Sequence, residues 1–93
     1  MKAISWDEQK NMLLKEEREV SFEQVLIAIE GGKLLDILVH TSKKYAHQQI
    51  FVVEISMYVY LVPFVETEKE LFLKTIIPSR KATKQYLINR IKK

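Results

Sequence analysis

The hydrophobic pattern of the first third of the chain predicts two helices. Asp7 can cap a first helix that runs to about Arg18. Ser21 opens a second helix and has Gln24 three residues later, which is a capping box. The apolar residues of this second helix recur at helical spacing and predict one buried face: Phe22, Val25, Leu26 and Ile29. Gly31-Gly32 then ends it, because glycine readily supplies a left-handed cap.

After the glycines the pattern changes to β-branched and aromatic residues with short polar breaks. Residues 34–39 predict a first strand, and the polar residues after it predict a loop. Two further strands, 50–55 and 58–65, are joined by Ser56-Met57, which has the length of a tight hairpin turn. Residues 71–77 predict a fourth strand.

Two prolines lie in this second half of the chain, and each interrupts or ends a predicted strand. Pro63 lacks a backbone donor and indicates an edge or a bulge in its strand. Pro78 ends the fourth strand, and Ser79 can cap a final helix. The order is two helices, four strands and a helix. It predicts a single domain over residues 1–93 with an α+β fold, in which the helices cover one face of a mainly antiparallel sheet.

Composition narrows the class of protein. The chain has 93 residues, of which 47% are hydrophobic, too many for a disordered chain. There is no cysteine, which excludes disulfide scaffolds, zinc-thiolate sites and thiol nucleophiles. The longest apolar stretch, 50–65, is interrupted by Glu54 and Pro63 and is shorter than the ~20 residues of a membrane span. No targeting segment is visible, so we expect a cytoplasmic protein with no membrane contact.

Charge is unevenly distributed along the chain. Lys and Arg total 15 against 12 Asp and Glu, for a net charge of +3. Residues 79–93 contain no acid, and they hold six of the cations: Arg80, Lys81, Lys84, Arg90, Lys92 and Lys93. Cations at the end of a helix offset its dipole, whereas the first three lie at the start, where cations are unfavourable. A basic segment on a weakly acidic body indicates a polyanion or an acidic protein as partner.

Two segments lie at opposite ends of the chain. The first, called the N-terminal motif below, is Trp6-Asp7 with Lys10, followed by Val20-Ser21-Phe22-Glu23 at an ungapped spacing. The second, called the strand-end motif below, is Ile76-Ile77-Pro78-Ser79-Arg80-Lys81-Ala82-Thr83. Together they resemble the BrnT family of bacterial type II toxins. Other positions depart from the family pattern. Leu14 replaces an Asn, Glu17-Arg18-Glu19 replaces Lys-His-Gly, Gln48-Gln49 stands near a missing Arg, and Pro78 replaces a Ser.

The resemblance implies a RelE-like fold and an mRNA endoribonuclease that inhibits translation. It also implies a cognate antitoxin encoded by an adjacent gene, with RNA as the substrate. Such a reaction needs a base for the 2′-hydroxyl and cations for the phosphorane, and it needs no metal ion or cofactor. The alternative is a non-catalytic module of the same fold that binds a protein or a nucleic acid.

Arg80 is the best candidate for the catalytic cation. It matches the strand-end motif of the family, and its planar fork suits two phosphate oxygens. It also follows a helix cap, where free N–H groups favour phosphate. The alternative is a surface arginine paired with Glu66 or Glu68.

Three further residues are catalytic candidates: Lys74, Glu54 and His47. Lys74 would be a second cation, in a strand. Glu54 faces either a cleft or water. His40 and His47 flank the polar loop, where histidine can act as a base. The candidate RNA-binding residues are Lys10, Lys43, Lys44, Tyr45, Lys81, Lys84 and Tyr86. Tyr86 can stack on a base or lie half in the core. Two histidines with no acid between them predict no metal site.

Overall fold

The computed structural model describes residues 2–39 and 48–88 and shows a mixed β-sheet with helices on both faces. In chain order the elements are β1 Ala3–Trp6, α1 Glu8–Arg18, α2 Phe22–Glu30, β2 Leu34–Val39, β3 Gln48–Ile55, β4 Tyr58–Glu66, β5 Glu70–Leu73, β6 Ile77–Pro78 and α3 Arg80–Thr83. The chain continues from α3 into a π-helical segment, Lys84–Ile88. The predicted α+β class is confirmed.

The sheet has more strands than the four that the sequence predicts. Its order is β1-β5-β4-β3-β2, and β6 pairs with β4 beside that path. The pairing is antiparallel except between β1 and β5, where Ala3 lies opposite Glu70 in a parallel register. Strand β1 is missing from the prediction because it is short and its partner lies near the other end of the sequence.

Helices α1 and α2 begin where the capping residues predict. The Asp7 carboxylate accepts a hydrogen bond from the Gln9 N–H at 3.1 Å. The Ser21 hydroxyl accepts from the Gln24 N–H, and the Gln24 side chain accepts from the Ser21 N–H at 2.9 Å, which completes the capping box. Glu19 ends α1 in a left-handed conformation with φ 56°.

The β3–β4 hairpin closes without a glycine. Ser56 and Met57 both have positive φ, 53° and 65°, and Ile55 lies opposite Tyr58. The two-residue turn is therefore confirmed, in the left-handed conformation that matches the twist of a hairpin.

The prediction that Pro63 marks an edge of the sheet is wrong, because β4 lies inside the sheet. One side of β4 pairs along its whole length with β3. The other side pairs first with β6, at Tyr60 and Leu61, and then with β5 from Phe64 onward. Pro63 lies in the gap between these two partners, where its missing N–H breaks no ladder bond.

The predicted fourth strand, 71–77, is likewise interrupted. The chain leaves the ladder after Leu73, and the Lys74 N–H donates to the Pro63 carbonyl at 2.8 Å. Pairing with β4 resumes at Ile77 and Pro78 as β6. The strand-end motif thus begins beside the middle of β4, and Ser79 follows it as the cap of α3.

The core lies on both faces of the sheet, and the prediction of helices on one face is wrong. Helices α1 and α2 cover the first face, whose buried residues are Phe51, Val53, Val62 and Phe64. The α3 turn and the π-helical segment cover part of the second face, where Ala82 and Tyr86 pack against Val52 and Val59. Strands β3 and β4 are apolar on both sides for this reason. No helix in residues 2–39 and 48–88 is long and apolar enough to cross a membrane.

Candidate nucleic-acid interface

The α3 turn is attached to β4 at a single residue, Val59. The Ser79 N–H donates to the Val59 carbonyl at 3.0 Å, and the Val59 N–H donates to the Thr83 hydroxyl oxygen at 2.8 Å. The Thr83 hydroxyl in turn donates to the Ser79 carbonyl, and the Ser79 hydroxyl accepts from the Ala82 N–H. These bonds hold the backbone of the turn at a fixed place on the sheet.

Three cations project from this attached turn into solvent. Arg80, Lys81 and Lys84 are all exposed. In the part of the chain that the structure describes, no carboxylate lies within ion-pair distance of any of them. Glu66, one of the two acids expected as partners of Arg80, accepts instead from Lys2 at 2.6 Å. Like charges that gather without counterions raise the local potential and attract anions.

The helix start itself contributes less than the sequence predicts. The α3 turn has only four α-helical residues, and Ser79 already takes the N–H of Ala82. A helix of one turn has a small dipole and few free donors. Binding of an anion here would therefore depend on the side chains of Arg80 and its neighbours.

Arg18 is a further cation near the strand-end motif, outside the residues that the sequence pattern selects. Its guanidinium donates to the Ile76 carbonyl at 2.5 Å, which links the end of α1 to the residue before β6. This contact uses one of five guanidinium donors and leaves the others for solvent or ligand. The only signal in the sequence is a basic residue in the last turn of α1.

Tyr86 occupies the core position that was one of its two alternatives. Its ring is partly buried against the second-face cluster of Val52, Val59 and Ala82. Its hydroxyl donates to the Asp36 carboxylate at 2.9 Å. Burial raises the pKa of Tyr86, and the bond to Asp36 and the negative charge there raise it further. The packing of the ring and the bond of its hydroxyl thus join the π-helical segment to the sheet.

Lys74 and Glu54 lie outside α3, the first just after β5 and the second in β3. Lys74 follows β5, and its ammonium lies 5.7 Å from the centre of the Phe72 ring. Glu54 lies opposite Val59 in the hairpin register, one strand from the start of α3, and also lines a groove of about 520 Å³ beside α2. Among the described residues no hydrogen bond or ion pair joins Arg80, Lys74 and Glu54.

The remaining candidates are not part of this interface as described. Lys10 lies on α1 and is partly exposed. His47, Lys43, Lys44 and Tyr45 lie outside the described residues, as do the basic residues after position 88. Within residues 2–39 and 48–88 no three acids or histidines are grouped as metal ligands. The absence of a metal in the reaction stays a prediction.

The N-terminal motif joins α1 to α2. Trp6 stacks on Phe22 with ring centres 5.6 Å apart. Asn11, which is fully buried, accepts from the Phe22 N–H at 2.8 Å and donates to the carboxylates of Glu8 and Glu23 at 3.1 and 2.8 Å. The Asn11 bond, helped by Lys15, holds the pKa of Glu23 below its usual value. Trp6, Phe22 and Glu23 of this motif therefore have structural partners.

Comparison of the chain with family models, with curated proteins and with solved structures finds no match.

Proposed function

We propose that this chain is the toxin of a bacterial type II toxin–antitoxin system and acts as a metal-independent mRNA endoribonuclease with a RelE-like fold. The observation that supports it most is the group formed by Arg80, Lys81 and Lys84. These cations are exposed, have no described counterion and project from a turn attached to Val59. Surface cations of this kind contribute little to folding, whereas they fit a phosphate backbone.

Arg80 has the central role in the proposed reaction. Its guanidinium would contact the scissile phosphate and stabilise the charge that develops as the 2′-oxygen gives its proton to the base and attacks phosphorus. The bond from phosphorus to the 5′-oxygen then breaks, and the leaving 5′-oxygen takes up a proton. Lys81 and Lys84 would neutralise flanking phosphates and hold the strand in register. Glu54 and His47 are the candidates for the base. Glu54 is the one whose position is described, opposite Val59 and so one strand from α3.

The first experiment is growth arrest in bacteria. Expression of the chain alone should stop growth, and co-expression of the product of the adjacent gene should restore it. Protein level and folding are verified in the same cultures. Normal growth at a high level of folded protein would contradict the toxin proposal.

The second experiment follows RNA cleavage by the purified protein with and without EDTA. We expect cleavage to continue in EDTA, because the sequence has no cysteine and two histidines, and a base with cations can perform the reaction. Activity that EDTA abolishes and Mg²⁺ or Zn²⁺ restores would contradict the metal-independent mechanism.

The second candidate function is a non-catalytic binding module of the same fold. It is favoured by the absence of a described hydrogen bond or ion pair between Arg80 and Glu54, the described candidate for the base. The two functions differ in one measurement. A binding module retards RNA or a partner protein without shortening the RNA, while a ribonuclease produces fragments that end in a cyclic or 3′ phosphate.

A further inference from the structure

We propose that Phe72 and Lys74 form a binding site for an unpaired nucleotide of RNA, on the same face of the sheet as α3. The inference rests on the proposed function, since it takes RNA as the ligand. It extends the candidate interface from the α3 cations along β6 and β5, and it adds a ring on which a base can stack.

Phe72 projects from the second face of the sheet. Its neighbours in β5, Leu71 and Leu73, both belong to the core cluster of the first face. Successive residues of a strand point to opposite faces, so Phe72 points to the second. The register agrees, because Phe72 lies opposite Val65, the neighbour of the first-face residue Phe64. The ring is therefore on the face that α3 partly covers.

No described helix covers the part of the second face around Phe72. The cluster beneath α3 and the π-helical segment extends along β4 only as far as Leu61. Pro63 and Val65 beyond it belong to neither core cluster, and nor does Phe72. All three side chains have intermediate exposure. An apolar surface that the fold leaves uncovered in this way is accessible to a ligand.

A cation already lies against this ring. The Lys74 ammonium is 5.7 Å from the centre of the Phe72 ring. Lys74 is exposed, and within residues 2–39 and 48–88 no carboxylate lies at ion-pair distance from it. Glu70, the acid of the same strand, accepts a hydrogen bond from the Ser5 hydroxyl instead. A cation–π contact at an exposed site is weak, so the lysine is free to turn to a phosphate.

The register places this ring in line with the start of α3. Phe72 lies opposite Val65 of β4, and the Ser79 N–H donates to the Val59 carbonyl of the same strand. The six residues from Val59 to Val65 correspond to about 20 Å of strand. At the stacked spacing of about 3.4 Å per nucleotide, roughly six nucleotides span that length, and an extended strand needs fewer. A short single strand along β5 and β6 is therefore long enough to contact both Phe72 and the α3 cations.

The charges favour RNA over a protein as the occupant. Exposed cations lie along this line, Lys74 beside the ring and Arg80 at the start of α3, and neither has a described counterion. Such charges match a phosphate backbone, and a partly exposed ring beside them suits an unpaired base. Sheet faces that carry aromatic side chains bind single-stranded RNA by this combination.

The test measures binding of a fluorescent single-stranded oligoribonucleotide of about eight nucleotides. Its 2′-hydroxyls are all methylated, which removes the attacking group and prevents cleavage. Phe72→Leu keeps an apolar side chain and loses the ring, and it should weaken binding by roughly 5- to 100-fold, the range for loss of one stacked base. Phe72→Tyr should bind as the wild type does. An oligomer of the same length without bases should bind equally to the wild type and to Phe72→Leu.

Lys74→Ala should give a different signature. It should weaken binding to both oligomers and lower the slope of log affinity against log salt by about one, because one phosphate contact is lost. Phe72→Leu removes no charge and should leave that slope unchanged. The controls are Tyr58→Leu, which removes a partly exposed ring from the opposite face, and Lys33→Ala, which removes an exposed cation before β2. Both should bind as the wild type does.

Three results would overturn the proposal. The first is a Phe72→Leu protein, folded by circular dichroism, that binds the oligoribonucleotide like the wild type. The second is an unchanged salt slope in Lys74→Ala, which decides the question if Phe72→Leu does not fold. The third is a Phe72→Leu protein that loses binding to the antitoxin and not to RNA, since this surface would then be a protein interface.

The outcomes separate this inference from the proposed function. Binding that depends on Phe72 and Lys74, with no cleavage of unmodified RNA, supports the nucleotide site and contradicts the ribonuclease. Cleavage with a KM that neither substitution raises supports the ribonuclease and contradicts the nucleotide site.

Discussion

The N-terminal motif and the strand-end motif lie in different kinds of environment. In the N-terminal motif Trp6 stacks on Phe22, and Ser21 and Asp7 cap the helices. The side chains of Asp7, Ser21 and Asn11 are bonded there, and the buried Asn11 makes three hydrogen bonds. In the strand-end motif the backbone is equally well bonded, but Arg80 and Lys81 project into solvent with no described counterion.

This difference in environment indicates different roles for the two motifs. Stacking, capping and a buried amide are needed for α1 to pack on α2, so the N-terminal motif bears on the fold. The cations of the strand-end motif contribute nothing to the packing of α3, whose buried residue is Ala82. Side chains on turns that a rigid scaffold holds in place are disproportionately those that bind or catalyse.

The largest expected effect is loss of activity in Arg80→Ala. If Arg80 neutralises the charge gained by the scissile phosphate, its removal should lower the cleavage rate by roughly 10²- to 10³-fold. The melting temperature should stay within about 2 °C of the wild type, because an exposed cation without a partner contributes little stability. Growth arrest and thermal melting are measured on the same variant.

Arg80→Lys and Lys69→Ala serve as its controls. The first keeps the charge without the planar fork and should recover only part of the activity. The second removes an exposed cation from the turn between β4 and β5 and should have no effect. Arrest by a folded Arg80→Ala protein would exclude Arg80 from the site, and an unfolded variant would identify it as a structural residue.

The next largest effect is the loss of stability in Asn11→Ala. Three hydrogen bonds disappear, and the Phe22 N–H is left buried without a partner. We expect a loss of about 2–4 kcal/mol in the free energy of unfolding. In a domain of this size that lowers the melting temperature by roughly 10–20 °C. Gln9→Ala, at an exposed position of the same helix, is the control. A melting temperature like that of the wild type would show that water replaces the amide.

Asn11 also illustrates what could be predicted from the sequence. Capping signals and turn lengths are local, so the starts of α1, α2 and α3 and the turn at Ser56-Met57 were correct. Asn11 was not selected, because its partners lie on another helix. The parallel pairing of β1 with β5 and the split of β4 between β5 and β6 were missed for the same reason.

The candidate site was predictable as a set of residues but not as a geometry. The charge imbalance and the strand-end motif selected Arg80, Lys81 and Lys84, which are exposed on one turn. The core position of Tyr86 depends on Asp36 of a distant strand. The contact of Arg18 with Ile76 depends on how α1 lies on the sheet.

Removal of the serine caps of α2 and α3 should have a smaller effect on stability, and it tests the difference between the two motifs. Ser21→Ala removes the capping box of α2 and should cost about 1–2 kcal/mol of stability, without changing the activity per folded molecule. Ser79→Ala removes the cap of a four-residue turn and should cost about 1 kcal/mol or less. It should also lower cleavage severalfold, because α3 positions Arg80. Equal activity in the two folded variants would contradict that positioning role.

The smallest effect is a pH dependence of stability that resides in the N-terminal motif. The bond from Asn11, more than the charge of Lys15, lowers the pKa of Glu23 from its reference value of 4.5. A carboxylate whose pKa is lower in the folded state stabilises the fold above the unfolded-state pKa. That contribution is lost as the pH falls through the folded-state pKa.

Urea unfolding between about pH 7 and pH 3 should therefore depend less on pH in Glu23→Gln than in the wild type. Lys15→Ala should keep most of the dependence, since the amide is the main cause. If Lys15→Ala flattens the curve as much as Glu23→Gln does, the ion pair at 3.7 Å, and not the buried amide, sets the ionisation of Glu23.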